Sequence, residues 1–251
     1  MLGGKRVGEL YAIVSGKGGT GKTSVCAGLA AALAEKDRSI LCIDCDVGLR
    51  NLDISLGMSE VPALSFLDVS EGSYSIQDAA RHPKFPALRF LTAPMNRSAD
   101  DIDPEAFRKM LQQARESFDY VFLDAPAGLD AGFRLASSWV DRVLLVTGPG
   151  PAAIRDAARV SDLLELSGKQ NVRLIVNRID EEMLSTVRLT IDDVMDTTGT
   201  PLGGVVPEDP NITLAAAFGC SILLYAGRSP AARAYRRIAA RIEGIPTKIK
   251  L

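Results

Sequence analysis

Residues 16–23 read Gly16-Lys17-Gly18-Gly19-Thr20-Gly21-Lys22-Thr23, a fit to G-x-x-x-x-G-K-[ST] without deviation. Each position has a physical task. Glycines allow positive φ and turn successive N–H groups inward around phosphate oxygens. The helix that follows offers its N-terminus to the same anion. Lys22 is spaced to reach the β- and γ-phosphates, and the Thr23 hydroxyl is a hard oxygen of the kind Mg²⁺ prefers. Average composition produces such a pattern by chance in roughly one chain of this length in a hundred. Here it also stands between an apolar run at 10–15 and an Ala/Leu-rich stretch at 23–35. ATP with Mg²⁺ is the expected ligand, and hydrolysis the expected reaction. Lys17 adds a cation that ordinary P-loops do not require, poised to neutralise charge developing on a triphosphate.

Outward from the loop, strand-like runs at 39–44, 88–93, 120–124, 142–147, 172–177 and 203–206 alternate with helical patterns at 104–117, 152–167, 190–197, 213–218 and 230–242. Several strands are near-continuous Val/Ile/Leu runs, as in a parallel sheet buried on both faces. The expected fold is α/β, a doubly wound and mostly parallel sheet flanked by helices. Ligands bind at the carboxyl ends of such strands. One domain over residues 1–251 is expected. Residues 55–86 carry no clear period and are read as short helices and loops.

Asp44 closes the second strand, Asp46 follows two residues on, and Asp124 closes Tyr120-Val121-Phe122-Leu123. A strand-end Asp alone is more often a cap or turn residue. Beside a P-loop, Asp124 has the form of a Walker B acid, which holds Mg²⁺ directly or through water. Asp46 is the better candidate for orienting water, because His82, the single histidine, has no motif around it.

Bulk properties exclude other classes. The chain has 251 residues, 47% hydrophobic and 24% charged, with formal net charge -2. It therefore has no global basic field to gather nucleic acid. No apolar run reaches the roughly 18–20 residues that span a bilayer, and the N-terminus lacks the apolar core of a signal peptide; a cytoplasmic protein is expected. Cys42 and Cys45 form a C-x-x-C. Residues three apart on a strand point to opposite faces, so an incidental role is expected.

These residues resemble the MinD/ParA family of deviant Walker A P-loop ATPases. The resemblance rests on K-G-G-T-G-K-T with its early lysine, on DCDVGLRNLD at 44–53, and on DAPAG at 124–128, which is similar to D-S-P-A-G. VPED at 206–209 and ARAY at 232–235 add to it. It covers residues from about 10 to about 240, and within the family it is most similar to members that place the division septum. The resemblance implies an ATP-dependent homodimer in which Lys17 contacts phosphates across the interface. Gly16 to Thr23 and Ser24 would hold the nucleotide, Thr23, Asp44 and Asp124 the magnesium, and Asp46 the attacking water. Asn177 would bind adenine, and Pro207, Glu208 and Asp209 would line the base pocket. It also implies a MinC-like division inhibitor as partner, and a MinE-like ATPase-stimulating protein or a topological-specificity substitute. A ParA-like DNA-partitioning or flagellar-placement ATPase is the alternative.

The family's basic amphipathic C-terminal helix is not evident. Tyr235, Ile238 and Ile242 share a face suited to core packing, and IPTKIKL follows Gly244. Two lysines there, Lys248 and Lys250, add about 1 kcal/mol each near an anionic surface. Weak, dimer-dependent inner-membrane association, or none, is expected. Arg228, Arg233, Arg236, Arg237 and Arg241 together with these lysines read as a solvated face, so DNA is not an expected partner.

Overall fold

The structure, a computed structural model, describes residues 7–95 and 97–249, with the side chain of Met183 excepted. The first six residues, on which the signal-peptide reading falls, and Lys250 of the basic tail lie outside the described residues.

Among the described residues eight strands form one sheet. They are β1 (Glu9–Val14), β2 (Ile40–Asp44), β3 (Ala80–Arg81), β4 (Leu88–Leu91), β5 (Tyr120–Asp124), β6 (Arg142–Thr147), β7 (Val172–Ile179) and β8 (Leu202–Pro207). Their spatial order is β3-β4-β2-β5-β1-β6-β7-β8, and every pairing is parallel except the short β3 against β4. The doubly wound, mostly parallel fold expected from the Val/Ile/Leu runs is what forms. β1, which feeds the glycine loop, lies mid-sheet between β5 and β6.

The helices are α1 (Lys22–Ala34), α2 (Leu52–Leu56), α3 (Phe66–Ser70), α4 (Pro104–Ser117), α5 (Ala131–Ser137), α6 (Pro151–Leu166), α7 (Glu181–Val187), α8 (Ile191–Thr198), α9 (Asn211–Ala217), α10 (Ile222–Tyr225) and α11 (Pro230–Ile242). They cover both faces. On one, Leu10, Ala12 and Val14 pack with Phe107 and Leu111 of α4 and Val160 of α6. On the other, Tyr11 and Ile13 pack with Leu29 of α1 and Tyr235 and Ile238 of α11. Successive residues of β1 thus serve opposite cores, the period-two rule of a strand. Cys42 and Cys45 divide the same way, one into each core, and both thiols are free and buried.

α1 is buried nearly all round, as a helix enclosed by other elements must be. Its small residues admit close neighbours. A Cβ on Gly28 would lie 2.4 Å from the Tyr235 ring, so the tyrosine of ARAY sets how closely α11 approaches. The expected core face of α11 holds: Tyr235 and Ile238 are buried, and each such side chain is worth about 1.5–3 kcal/mol.

Residues 55–86 do contain short pieces: the end of α2, α3, a single 3₁₀ turn at Ile76–Asp78 and β3. Capping boxes at Ser65 and Ser75 start two of them. The seventh strand differs from expectation. It continues through Asn177 to Ile179, with its register against β8 broken between Val176 and Ile179.

Candidate functional site

The carboxyl ends of β1, β5 and β2 bring the predicted loop and acids together. Ile13 is paired with Asp124, and Asp124 with Asp44, so the two acids stand level on neighbouring strands. Lys22 begins α1 after Gly21, whose φ of 81° ends the loop in the left-handed region. Its Nζ lies 2.7 Å from Asp124 Oδ1, with both side chains almost wholly buried, and 3.4 Å from Thr23 Oγ1. Asp44 accepts the N–H of Asp46 at 2.9 Å and of Leu52 at 3.2 Å, so the loop after β2 is wrapped around its carboxylate.

Electrostatics mark this cluster as short of positive charge. Burial and then the charge of Asp124 push Asp44 up to about 7, against the two N–H groups that favour its ionised form. Burial also raises the half-buried Asp46, although Lys22 pulls it the other way. Burial would lower Lys22, but Asp124 outweighs it and the ammonium is held above its ordinary range. Asp124 and Asp46 act on the one ammonium, Asp44 stands beside Asp124, and the Thr23 hydroxyl lies beside the lysine. Among the described residues no three His, Cys, Asp or Glu groups form a metal cage. That donor set fits Mg²⁺, which is usually held by one or two carboxylates together with substrate phosphates.

The glycine loop is built for close approach. A Cβ on Gly16 would lie 2.6 Å from the Asp156 backbone, and one on Gly21 would lie 2.2 Å from Asn177 Nδ2; Gly18 and Gly19 face open space. Asn177, 157 residues distant in sequence, donates from Nδ2 to the Thr20 carbonyl at 2.8 Å. Its Oδ1 and Thr20 Oγ1 are buried without a hydrogen-bond partner. Such orphaned groups cost roughly 1–3 kcal/mol each, a cost that a ligand bonded to them would recover.

Other predicted residues sit differently. Lys17 is exposed and lines an open groove with Arg178, Asp180 and Glu208, apart from the buried cluster. Ser24 is half-buried in the first turn of α1, beside Ser55 and Ile212. Pro207 ends β8. Asp209 spends its carboxylate on the chain: Oδ1 accepts from Asn211 N and Nδ2 at 3.0 and 2.7 Å, and Oδ2 from Ala231 N at 3.0 Å. Burial opposes its ionisation, but these bonds and one from Ser229 win and lower its pKa. It thereby ties the start of α9 to the start of α11.

Arg178 escaped the sequence reading. It has φ of 60°, unusual for a residue with a side chain. Its guanidinium pairs with Glu208 at 2.8 and 3.3 Å and donates to the Gly19 carbonyl at 3.1 Å. It therefore joins the loop after β8 to the phosphate loop. Irregular, strained backbone of this kind gathers at functional sites; the only signal available in sequence was its place directly after Asn177. Arg178→Ala is expected to weaken ATP binding about three- to tenfold with little change in melting temperature, since the ion pair is half-exposed. Equilibrium nucleotide titration checks it, and unchanged affinity would rule out the clamp.

His82 is structural. Its Nε2 donates to the Leu56 carbonyl at 2.9 Å, and Nδ1 accepts the N–H groups of Lys84 and Phe85, both at 3.0 Å. Burial lowers its pKa, outweighing the Leu56 contact. The unfolded chain therefore takes up this proton first, so stability from His82 is full above about pH 6.5 and falls as the pH drops below it. As the chain has one histidine, its NMR titration is unambiguous. A midpoint below 6.5 with the Nε2–H tautomer is expected; a midpoint above 6.5 would contradict this packing.

Comparison with known proteins agrees with this geometry. The CobQ/CobB/MinD/ParA nucleotide binding domain matches residues 11–222. The septum site-determining protein MinD of Synechocystis is 37% identical over 94% of this chain and 90% of its own length. The Aquifex aeolicus MinC:MinD cell division complex superposes with a TM-score of 0.89 at 35% identity, covering 97% of this chain and 98% of that one. The septum site-determining protein MinD of Pyrococcus horikoshii, complexed with Mg-ADP, gives 0.81 at 29% identity, covering 94% and 96%. With its phosphate loop, paired acids and buried lysine in these positions, the chain belongs to the MinD/ParA family of nucleotide-binding proteins and is an ATPase that uses Mg-ATP.

Proposed function

We propose that this ATPase is a MinD-like spatial switch for placement of the division septum, dimeric with ATP and monomeric with ADP. The observation that carries the reading is the division of labour between two lysines. Lys22 is buried and neutralises Asp124, whereas Lys17 is exposed on the same loop and free to reach a second copy. In the monomer, Lys22 holds the charge of Asp124 until phosphate oxygens compete for the ammonium. Thr23, Asp44 and Asp124 would hold Mg²⁺, which supplies charge neutralisation on the phosphates. Asp46, tethered through its N–H to Asp44, orients the attacking water. The N–H groups of Gly18, Gly19 and Gly21 hold phosphate, and Asn177 with Pro207 holds the base.

A MinC-like inhibitor and a MinE-like or substitute stimulating protein are the proposed partners, the first supported by the similarity to MinD in the Aquifex aeolicus MinC:MinD complex. The proposed location is the cytoplasm, with weak association at the inner membrane. No helix among the described residues is long and apolar enough to cross a membrane. A DNA-partitioning role draws less support, because Arg236 is paired with Glu35 at 2.6 Å and Arg241 is bonded to the Gly203 and Thr247 carbonyls.

Light scattering tests the switch. Asp46→Ala is expected to be a dimer in Mg-ATP and a monomer in Mg-ADP. Adding Lys17→Ala should return the Mg-ATP form to monomer without lowering its melting temperature. A monomer in both nucleotides for Asp46→Ala itself would sink the proposal.

A further inference from the structure

At the opposite end of the sheet from the phosphate loop, a cavity of about 140 Å³ opens beneath α11, and three of its lining side chains are Arg142, Arg173 and Arg241. The sequence sets this up through register. Tyr11 is paired with Arg142, and Ile13, Leu144 and Arg173 lie in one row across β1, β6 and β7. Ile13 and Leu144 are buried members of the core under α1 and α11. Arg173 therefore occupies a place in that row where the pattern calls for an apolar side chain. On the next strand Gly203 leaves its place empty: a Cβ there would lie 3.0 Å from the Arg173 Cβ. The result is a hollow with arginines at its mouth and Leu144 and Ile238 in its wall.

Among the described residues, only one carboxylate pairs with these arginines. Arg142 shares Glu9 with the Tyr11 hydroxyl, at 3.1 and 2.7 Å. Among the described residues Arg241 donates only to carbonyls, Gly203 at 2.8 Å and Thr247 at 3.3 and 2.8 Å. Among the described residues Arg173 makes one long side-chain bond, 3.5 Å to the Val172 carbonyl. Nearby Asp141 is engaged by Arg115 and the Leu10 N–H. Among the described residues, three guanidinium groups thus face one paired carboxylate. Guanidinium forks match phosphate oxygens in pairs, and the apolar wall favours a carbon chain over a bare ion. The volume is well below the roughly 300–1,000 Å³ of pockets for larger ligands, so a nucleotide does not fit.

We propose that this cavity binds an organic phosphate ester, with the phosphate on Arg142, Arg173 and Arg241 and the first carbons against Leu144 and Ile238. The ester has two sources, a soluble metabolite or a phospholipid headgroup. Because Arg241 also anchors Thr247 of the C-terminal segment, occupancy bears on where that segment lies.

The test uses the full chain saturated with Mg-ADP, so that the nucleotide site is filled. Calorimetric titrations with n-butyl phosphate and with inorganic phosphate, and sedimentation with phosphatidylglycerol vesicles, are compared between the parent and Arg142→Gln/Arg173→Gln. Both arginines are exposed, and a matching melting temperature verifies the variant. Butyl phosphate is expected to bind the parent more tightly than inorganic phosphate and at least tenfold more weakly to the variant. Vesicle binding lost in the variant would make the headgroup the source, and vesicle binding absent from both would make it a soluble ester. Absence of butyl phosphate binding to the parent, or equal affinity in the two proteins, overturns the proposal.

Discussion

Lys22→Met is expected to abolish measurable ATP turnover and also to destabilise the nucleotide-free protein. The two losses have different causes. Turnover goes because the ammonium that would meet the phosphates is removed. Stability goes because Asp124, with 2% of its side chain exposed, loses its partner 2.7 Å away. Breaking a buried pair from one side typically costs about 3–5 kcal/mol. Adding Asp124→Asn removes the stranded charge. Lys22→Met/Asp124→Asn should regain most of the stability while remaining inactive. Denaturant melts of the three proteins without nucleotide check the first claim and steady-state phosphate release the second. If Lys22→Met alone melts with the parent, the buried pair is not what holds the empty site together.

That coupling was only half legible in the sequence. The phosphate loop could be read from eight residues because its geometry is local: glycines, a lysine and a hydroxyl at fixed offsets between a strand and a helix. The strands were equally legible, since burial on both faces leaves continuous apolar runs, and strand-end acids follow once the sheet is parallel. Sequence offered no means of finding that Lys22 and Asp124, 102 residues apart, form an ion pair in the empty protein, because strand order is a non-local property. Asn177 was reached only through family resemblance. The break in register that turns it toward Thr20, and puts Arg178 on Gly19 and Glu208, leaves no periodic trace. Asp209 looked like part of a base pocket, yet its oxygens are committed to Asn211 and Ala231. The short helices α2, α3, α5 and α10 have fewer than eight residues each, too few turns for a 3.6-residue period to stand out.

Asp46→Ala is expected to lower turnover by a factor of about 10²–10⁴, the range for loss of a positioned acid–base group, while nucleotide affinity stays within about threefold of the parent. The asymmetry follows from where the side chain sits. Asp46 is half-buried and reaches the site from the loop after β2, and its N–H, which the substitution keeps, is the group bonded to Asp44. Removing the carboxylate therefore leaves the wrapping of Asp44 intact. It also removes one of the two acids that act on Lys22, which should leave the substrate-bound state no less stable. Asp44→Ala should behave differently. It strips the acceptor from Asp46 N and Leu52 N, so both magnesium dependence and nucleotide affinity should fall with turnover. Single-turnover hydrolysis beside equilibrium nucleotide binding separates the two variants. An Asp46→Ala protein that turns over within threefold of the parent would move the water-orienting role to another residue. Equal losses of affinity in both variants would mean that Asp46 acts through the metal site and not on the water.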